Sequence, residues 1–271
     1  MDIDSSILEM RKQPHLSASS IKAYLDCGLY YKFSRIDKLA RTHTSDNLIF
    51  GSTIHKVLAD YNQEKLIGNH MGLDDLYELF KKYWTEAVKS TDNIKYSKGK
   101  TFESLLKQGK ELLRTYMSQA PRDQYEIMAV EEPFEFKIDG VDLPVIGVMD
   151  IVERDENDTV IISDYKTVGT STTINEVDNN FQLTVYYMAA KLNGYVDREI
   201  VLKLDCLVKT KTPRFEQVYT SRNSDDEQRA VKKIKEVCNG IQKEVFIPNA
   251  DGSWKCGGCE YKVYCDDWFE N

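Results

Sequence analysis

Two aspartates and a lysine carry the sharpest chemistry in this 271-residue chain. Asp150 lies in Gly147-Val148-Met149-Asp150-Ile151-Val152, and Asp164 and Lys166 lie in Ile162-Ser163-Asp164-Tyr165-Lys166-Thr167. Both runs have strand character, and Asn157-Asp158 between them reads as a hairpin turn. A turn centred there pairs positions whose numbers sum to about 314, which sets Asp150 opposite Asp164. Side chains alternate along a strand, so Lys166 projects on the face of Asp164. Paired hard oxygen ligands suit Mg²⁺ or Mn²⁺, and a neighbouring ammonium orients water or offsets developing charge. The chemistry these groups fit is metal-dependent phosphodiester hydrolysis. An isolated D-x-K on a hairpin is more often a surface ion pair, so the motif needs support from elsewhere in the chain.

A second constellation is built from thiols. Cys256, Cys259 and Cys265 form C-x2-C-x5-C near the carboxyl end, with Gly257-Gly258 permitting a tight turn between the first two. Three thiolates need a fourth ligand, and Cys27 is the best candidate, which would tie the two ends of the fold together at one metal centre. The spacing allows a four-cysteine zinc site or a [4Fe–4S] cluster. Cys206 and Cys238 sit singly in apolar segments and read as core residues.

The elements that must position these groups divide into a helical amino-terminal half and a strand-rich middle. Ser17 or Ser19 caps a helix carrying Ile21, Tyr24, Leu25 and Leu29, with Cys27 on or near it. Ile54, Val57, Leu58 and Tyr61 mark a second helix; Leu76, Phe80, Tyr83, Trp84 and Ala87 a third; Leu105, Leu112, Leu113 and Tyr116 a fourth. Residues 68–72 read as a loop. An antiparallel meander is expected over Glu126–Lys137, Leu143–Val152 and Thr159–Lys166, then a helix over Asn175–Leu192. Strands Glu199–Val208 and Phe215–Thr220 and a helix over Asp225–Lys243 follow.

The hairpin, read together with its surroundings, resembles the catalytic hairpin of the PD-(D/E)XK nucleases. It is most similar to the RecB-family exonuclease branch, which includes AddB-type and CRISPR-associated iron–sulfur exonucleases and whose strand reads D-Y-K-T. Gly51-Ser52-Thr53-Ile54-His55 matches the branch's helical G-x-x-x-H, and Gln182-Leu183-Thr184-Val185-Tyr186 matches its Q-x-x-x-Y. Cys27 with Cys256, Cys259 and Cys265 matches the one-plus-three cysteine arrangement. The resemblance spans nearly the whole chain. It implies an α/β restriction-endonuclease-like core, a mixed central sheet flanked by helices, in a single nuclease domain with a helical insertion at about 68–125. It makes His55, Asp150 and Asp164 ligands of Mg²⁺ or Mn²⁺, with the Tyr165 carbonyl as a further one, and Lys166 the residue that positions or activates water. Gln182 and Tyr186, one turn apart on a helix, would contact the scissile strand or Lys166. The four cysteines would hold a [4Fe–4S] cluster, with Zn²⁺ as the alternative. Met149 stands where the family name has Pro, and Asp164 takes the (D/E) place.

Composition narrows the partners. The net charge of −8 argues against non-specific coating of nucleic acid. The charge is uneven, however: residues 11–41 carry seven Lys or Arg against Asp26 and Asp37, and 95–110 carry five Lys against Glu103. These stretches, with Lys209, Lys211 and Arg214, could line a phosphate-binding surface, or be solvated faces balanced by acidic runs. No apolar run approaches a membrane span, and the first twenty residues are polar, so a soluble, cytoplasmic protein is expected, in a cell or a phage-infected host. Gly99-Lys100-Thr101 echoes the end of a Walker A loop but Ile94 replaces the required glycine, so no motor is expected. The resulting expectation is a DNA exonuclease acting on single strands or strand ends, alone or with a helicase or recombination partner. A non-catalytic iron–sulfur DNA-binding or scaffold subunit is the alternative, and no ligand position is lost that would favour it.

Overall fold

Asp155 sets the register of the central hairpin. Its Oδ1 accepts the backbone N–H groups of Asn157 and Thr159, both at 2.9 Å, and Asp158 takes the left-handed conformation that closes the turn, with φ 65°. The strands on either side pair Ile151 with Ser163 and Arg154 with Val160, the register expected from that turn.

A computed structural model describes residues 3–121, 124–249 and 254–270. The first half holds α1 (Ile3–Lys12), α2 (Ala18–Asp26), α3 (Gly28–Tyr31) and a π-helical turn over Lys32–Ile36. Then come β1 (Thr44–Ser45), α4 (Asp46–Leu66), α5 (Leu73–Lys89), β2 (Ile94–Lys95) and α6 (Phe102–Gln119). The second half holds β3 (Glu126–Phe136), β4 (Val145–Arg154), β5 (Val160–Val168), α7 (Ile174–Asp178), α8 (Phe181–Leu192), β6 (Ile200–Val208) and β7 (Arg214–Thr220). Helices α9 (Ser224–Gln242), α10 (Trp254–Gly257) and α11 (Lys262–Glu270) complete the chain. Strands β3 to β7 form a sheet in sequence order, parallel between β5 and β6 and antiparallel elsewhere. This is the mixed sheet flanked by helices that the resemblance implies.

The sheet has two apolar faces, and each buries a different set of helices. One packs Val152, Ile162, Leu202 and Leu204 against Ile21 of α2, Leu183 and Met188 of α8 and Ile234 of α9. The other packs Ile151, Tyr165 and Leu207 against α4, α5 and α6 through Phe50, Leu58, Phe80 and Leu113. Phe50, Phe80 and Trp84 are fully buried and meet edge-on or stacked, contacts worth about 0.5–1.5 kcal/mol each beyond area burial.

Helix α6 approaches α5 closely because Gly109 lacks a side chain. A Cβ there would lie 2.0 Å from Cζ of Phe80, a ring with no exposed surface and no room to move. Gly109→Ala is therefore expected to destabilise the fold by about 1–3 kcal/mol, although alanine favours a helix by about 1 kcal/mol. A thermal melt at or above that of the parent protein would contradict this packing.

Two expectations need correction. The single helix expected over 175–192 is broken into α7 and α8. Arg222 causes the break: it donates to the carbonyls of Val177 at 2.9 Å and Asn180 at 3.2 Å, and the Asn180 side chain caps α8 by accepting from Leu183 N. The helix expected to run through Leu29 stops at Asp26, because Cys27 adopts an extended conformation, φ −167° and ψ 112°. Leu25 is 52 % exposed as a result, and Leu29 belongs to α3.

Candidate active site

Asp150 stands where β4 parts from β5. The ladder between these strands stops at Ile151 and Ser163, one residue before the two aspartates that the turn register sets opposite each other. The Asp150 side chain takes over there, its Oδ2 accepting the Tyr165 N–H at 2.9 Å. Helix α4 brings His55 to the same atom, with Nδ1 3.3 Å from Oδ2. The helix can approach because Gly51, one turn earlier, leaves only 3.3 Å between the place of a Cβ and Thr167 Oγ1 at the end of β5. Burial draws the His55 pKa down, but the hydrogen bond and charge of Asp150 and the charge of Asp164 outweigh it, and the net shift is upward.

Asp164 is the most deeply buried acid of the group, 1 % exposed. Burial pushes its carboxyl up to about 6, against the pull of the Lys166 ammonium and with a further push from Asp150. Lys166 Nζ stands 2.5 Å from Asp164 Oδ2 as an ion pair without hydrogen-bond alignment, so among the described residues that oxygen has no hydrogen-bond donor. Lys166 donates instead to Gln182 Oε1 at 3.2 Å, Gln182 Nε2 to the Tyr186 hydroxyl at 2.8 Å, and that hydroxyl to Asp164 Oδ1 at 3.4 Å. Four side chains from β5 and α8 thus close a ring. The Q-x-x-x-Y spacing produces it, since positions i and i+4 share a helix face.

Tyr165 divides its parts between two places. Its backbone lies between Asp164 and Lys166, while its side chain points to the opposite face, where it accepts from Asn62 Nδ2 at 3.0 Å and shares a hydrogen bond with the Tyr116 hydroxyl at 3.2 Å. Removing the Tyr186 hydroxyl tests the ring directly. Tyr186→Phe leaves Gln182 and Asp164 each short of a partner in a buried setting, and a loss of about 1–2 kcal/mol in urea denaturation is expected. Unchanged stability would mean that the ring is not formed.

The donors match a hard divalent cation in kind: an imidazole and two carboxylates, one of which has a buried oxygen with unused acceptor capacity. They are held by partners of their own chain, His55 against Asp150 and Lys166 against Asp164. Among the described residues no three of His, Cys, Asp and Glu already form a metal-binding group.

Three of the four cysteines singled out in the sequence share one small apolar cluster. Cys27, between α2 and α3, Cys259 and Cys265 pack against a small cluster of Leu29, Phe33 and Tyr261, whereas Cys256 is exposed. Burial raises the Cys259 thiol, and the nearby charges of Cys27 and Cys265 add to the effect; Cys265 is raised by burial and then by Cys27. Contacts between the chain's ends surround them. Gly28 N–H donates to the Ile247 carbonyl at 2.8 Å, Thr42 N–H to Glu260 at 3.1 Å, and the Tyr30 hydroxyl to Glu260 Oε1 at 2.9 Å. Cys206 and Cys238 are buried core thiols, as expected.

Glu131 escaped the sequence reading. It lies between the pairs Val130↔Ile151 and Glu132↔Met149, hence across from Asp150, in the left-handed region at φ 51°, and its charge bears on Tyr186. The acidic pair before Pro133, unusual inside a strand, was the available signal. Glu153, Lys203 and Asp205 were also missed; Lys203-x-Asp205 within an apolar strand was their signal.

Comparison with known proteins gives the family. The family model described as the PD-(D/E)XK nuclease superfamily matches residues 15–266. Among solved structures, a candidate exonuclease from Eubacterium rectale superposes with TM-score 0.56 at 13% identity, covering 89% of this chain and 86% of that one, a likeness of fold alone. The protein SSO0001 aligns over 89% of this chain and 94% of its own at 12% identity and TM-score 0.37. No curated protein matches. The family match takes in His55, the Asp150–Lys166 hairpin, Gln182, Tyr186 and all four clustered cysteines, and the chain belongs to the PD-(D/E)XK nuclease superfamily.

Proposed function

We propose that this nuclease is a Mg²⁺- or Mn²⁺-dependent DNA exonuclease of the RecB-like type, acting on single strands or strand ends. The observation that supports it most is the closed ring of Lys166, Gln182, Tyr186 and Asp164 beside the His55–Asp150 pair. In this reading His55, Asp150 and Asp164, with the Tyr165 carbonyl, hold the ion. A bound divalent cation supplies Lewis acidity at a phosphoryl oxygen and makes a nearby water more acidic. Lys166, fixed by Gln182 and Asp164, presents its ammonium to the attacking water and to the phosphate, where it offsets the negative charge that grows as phosphorus is attacked. Gln182 and Tyr186 hold Lys166 and Asp164 in place from α8. His55, turned to Asp150, orients that carboxylate. The basic stretches at 11–41 and 95–110 guide the strand backbone. The four cysteines hold a [4Fe–4S] cluster that fastens the segment around Cys27 to that around 256–265, and the nuclease works alone on DNA ends or with a helicase or recombination partner.

The test is cleavage of 5′-labelled and 3′-labelled single-stranded and duplex DNA by anaerobically purified protein, with Mn²⁺, Mg²⁺ or EDTA. Stepwise release of label that requires the metal, and that favours single strands or ends, is the expected result. Internal cuts in closed circular DNA would overturn the exonuclease mode, and full activity in EDTA would overturn the metal dependence.

No described helix is long and apolar enough to cross a membrane.

A further inference from the structure

The face of the sheet away from Asp164 carries a cavity that the nuclease chemistry does not use. It measures about 670 Å³ and opens between α4, α6 and the strands, within the size range of small-molecule sites. Its floor is charged. Lys203, 3 % exposed, lies 3.2 Å from Glu153 Oε2 and 3.3 Å from Asp205 Oδ2. Ser163 donates to the same Glu153 oxygen at 3.3 Å, and Gln217 to Asp205 Oδ1 at 3.0 Å. These contacts on Glu153 all fall on Oε2, which leaves Oε1 as an acceptor at the cavity. Asn62 spends its amide N–H groups on the Leu58 carbonyl and the Tyr165 hydroxyl, so its Oδ1 is an acceptor too. Two carboxylates against one ammonium make the floor acidic and rich in acceptors.

The walls and mouth have different characters. Tyr116 meets Tyr61 and Phe215 edge-on, with ring centroids at 6.0 and 5.3 Å, and all three rings line the cavity. At the mouth stand Lys65, His70 and Arg114, the last donating to the Tyr77 hydroxyl at 3.0 Å. A ligand that satisfies all three zones has a flat aromatic ring system, seated between the aromatic walls with N–H donors at its inner edge, and an anionic tail.

We propose that this cavity binds a deoxynucleoside monophosphate, base inward against Glu153 and Asn62 and phosphate outward at Lys65 and Arg114. Guanine fits best, because its ring N–H and amino group are two adjacent donors for the acceptors left open on the floor, Glu153 Oε1 and Asn62 Oδ1, where thymine offers a single ring N–H. The compound is of the class that the proposed exonuclease reaction releases, but the site stands on its own groups and is measured without turnover. Failure here and failure of the nuclease reading are thus separate results.

Calorimetric titration of the full chain in EDTA with dGMP, dTMP and inorganic phosphate is the test. Saturable binding of dGMP at least tenfold tighter than of dTMP or phosphate is expected. Arg114→Ala is expected to weaken dGMP by about tenfold, and Glu153→Gln to remove the preference over dTMP; Arg114, being exposed, keeps the test valid if the Glu153 variant does not fold. Lys166→Ala should bind dGMP as the parent does. No saturable heat, equal affinity for phosphate and dGMP, or affinity lost in Lys166→Ala but kept in Arg114→Ala would each overturn the proposal.

Discussion

Lys166→Ala is expected to lower DNA cleavage by roughly 10³-fold, the scale on which a positioned proton-transfer or charge-stabilising group acts. Among the described residues Lys166 is the one ammonium held against Asp164, and it donates to Gln182. Its removal takes away the group proposed to face the attacking water and leaves a carboxylate that is 1 % exposed with the Tyr186 hydroxyl as its hydrogen-bond donor. The Asp164 carboxyl, already up at about 6 through burial, then loses its strongest opposing influence and is drawn further toward the neutral form, a poorer metal ligand. Asp150→Asn provides an independent arm. An asparagine oxygen still accepts the Tyr165 N–H that Asp150 now accepts at 2.9 Å, so the parting of β4 from β5 is kept while the charge is lost. Both variants should give parental circular dichroism and near-background rates in single-turnover cleavage. A rate within tenfold of the parent for either one would show that the reacting centre lies elsewhere.

The parts of this site that could be read from sequence are those fixed locally. The register that brings Asp150 and Asp164 together follows from one turn, and Asp155 enforces that turn through two hydrogen bonds within four residues. Gln182 and Tyr186 share a face because the helix repeat requires it. What could not be read depends on residues distant in sequence. Nothing near Asn179 foretells that Arg222 will claim the Val177 and Asn180 carbonyls and end α7. Strand alternation marks Lys203 and Asp205 as inward-facing, yet an inward lysine is read as an exception until Glu153 is seen beside it, a partner fifty residues earlier and two strands away. The left-handed backbone of Glu131 has no signature of its own, since glycine or asparagine would ordinarily mark such a position.

The cysteines are the case in which spacing offers candidate ligands and leaves the metal open. The second large effect is therefore expected in Cys27→Ser and Cys259→Ser: complete loss of the brown colour and of the visible-blue absorbance of anaerobically purified protein, with a stability loss of several kcal/mol. Cys27 is the more informative of the two. Its sulfur accepts the N–H groups of Tyr30 at 3.4 Å and Asn249 at 3.3 Å, so it already joins the chain's two ends without a metal. Serine keeps those two acceptor contacts and removes the soft thiolate, which separates loss of metal from loss of packing. Gly28→Ala does the reverse. Its Cβ would lie 2.6 Å from the Ile247 backbone nitrogen, which forces apart the segments around Cys27 with every thiol intact. Cys206→Ser and Cys238→Ser, at buried core positions outside the cluster, should keep the colour. Iron and sulfide lost only in the clustered variants would support the [4Fe–4S] assignment, and stoichiometric zinc in a colourless parent would replace it with a four-thiolate zinc site. A parent that binds neither would leave the ends of the chain joined by hydrogen bonds such as those around Cys27, Gly28, Thr42 and Tyr30, and would remove metal from the account of how this nuclease holds its termini together.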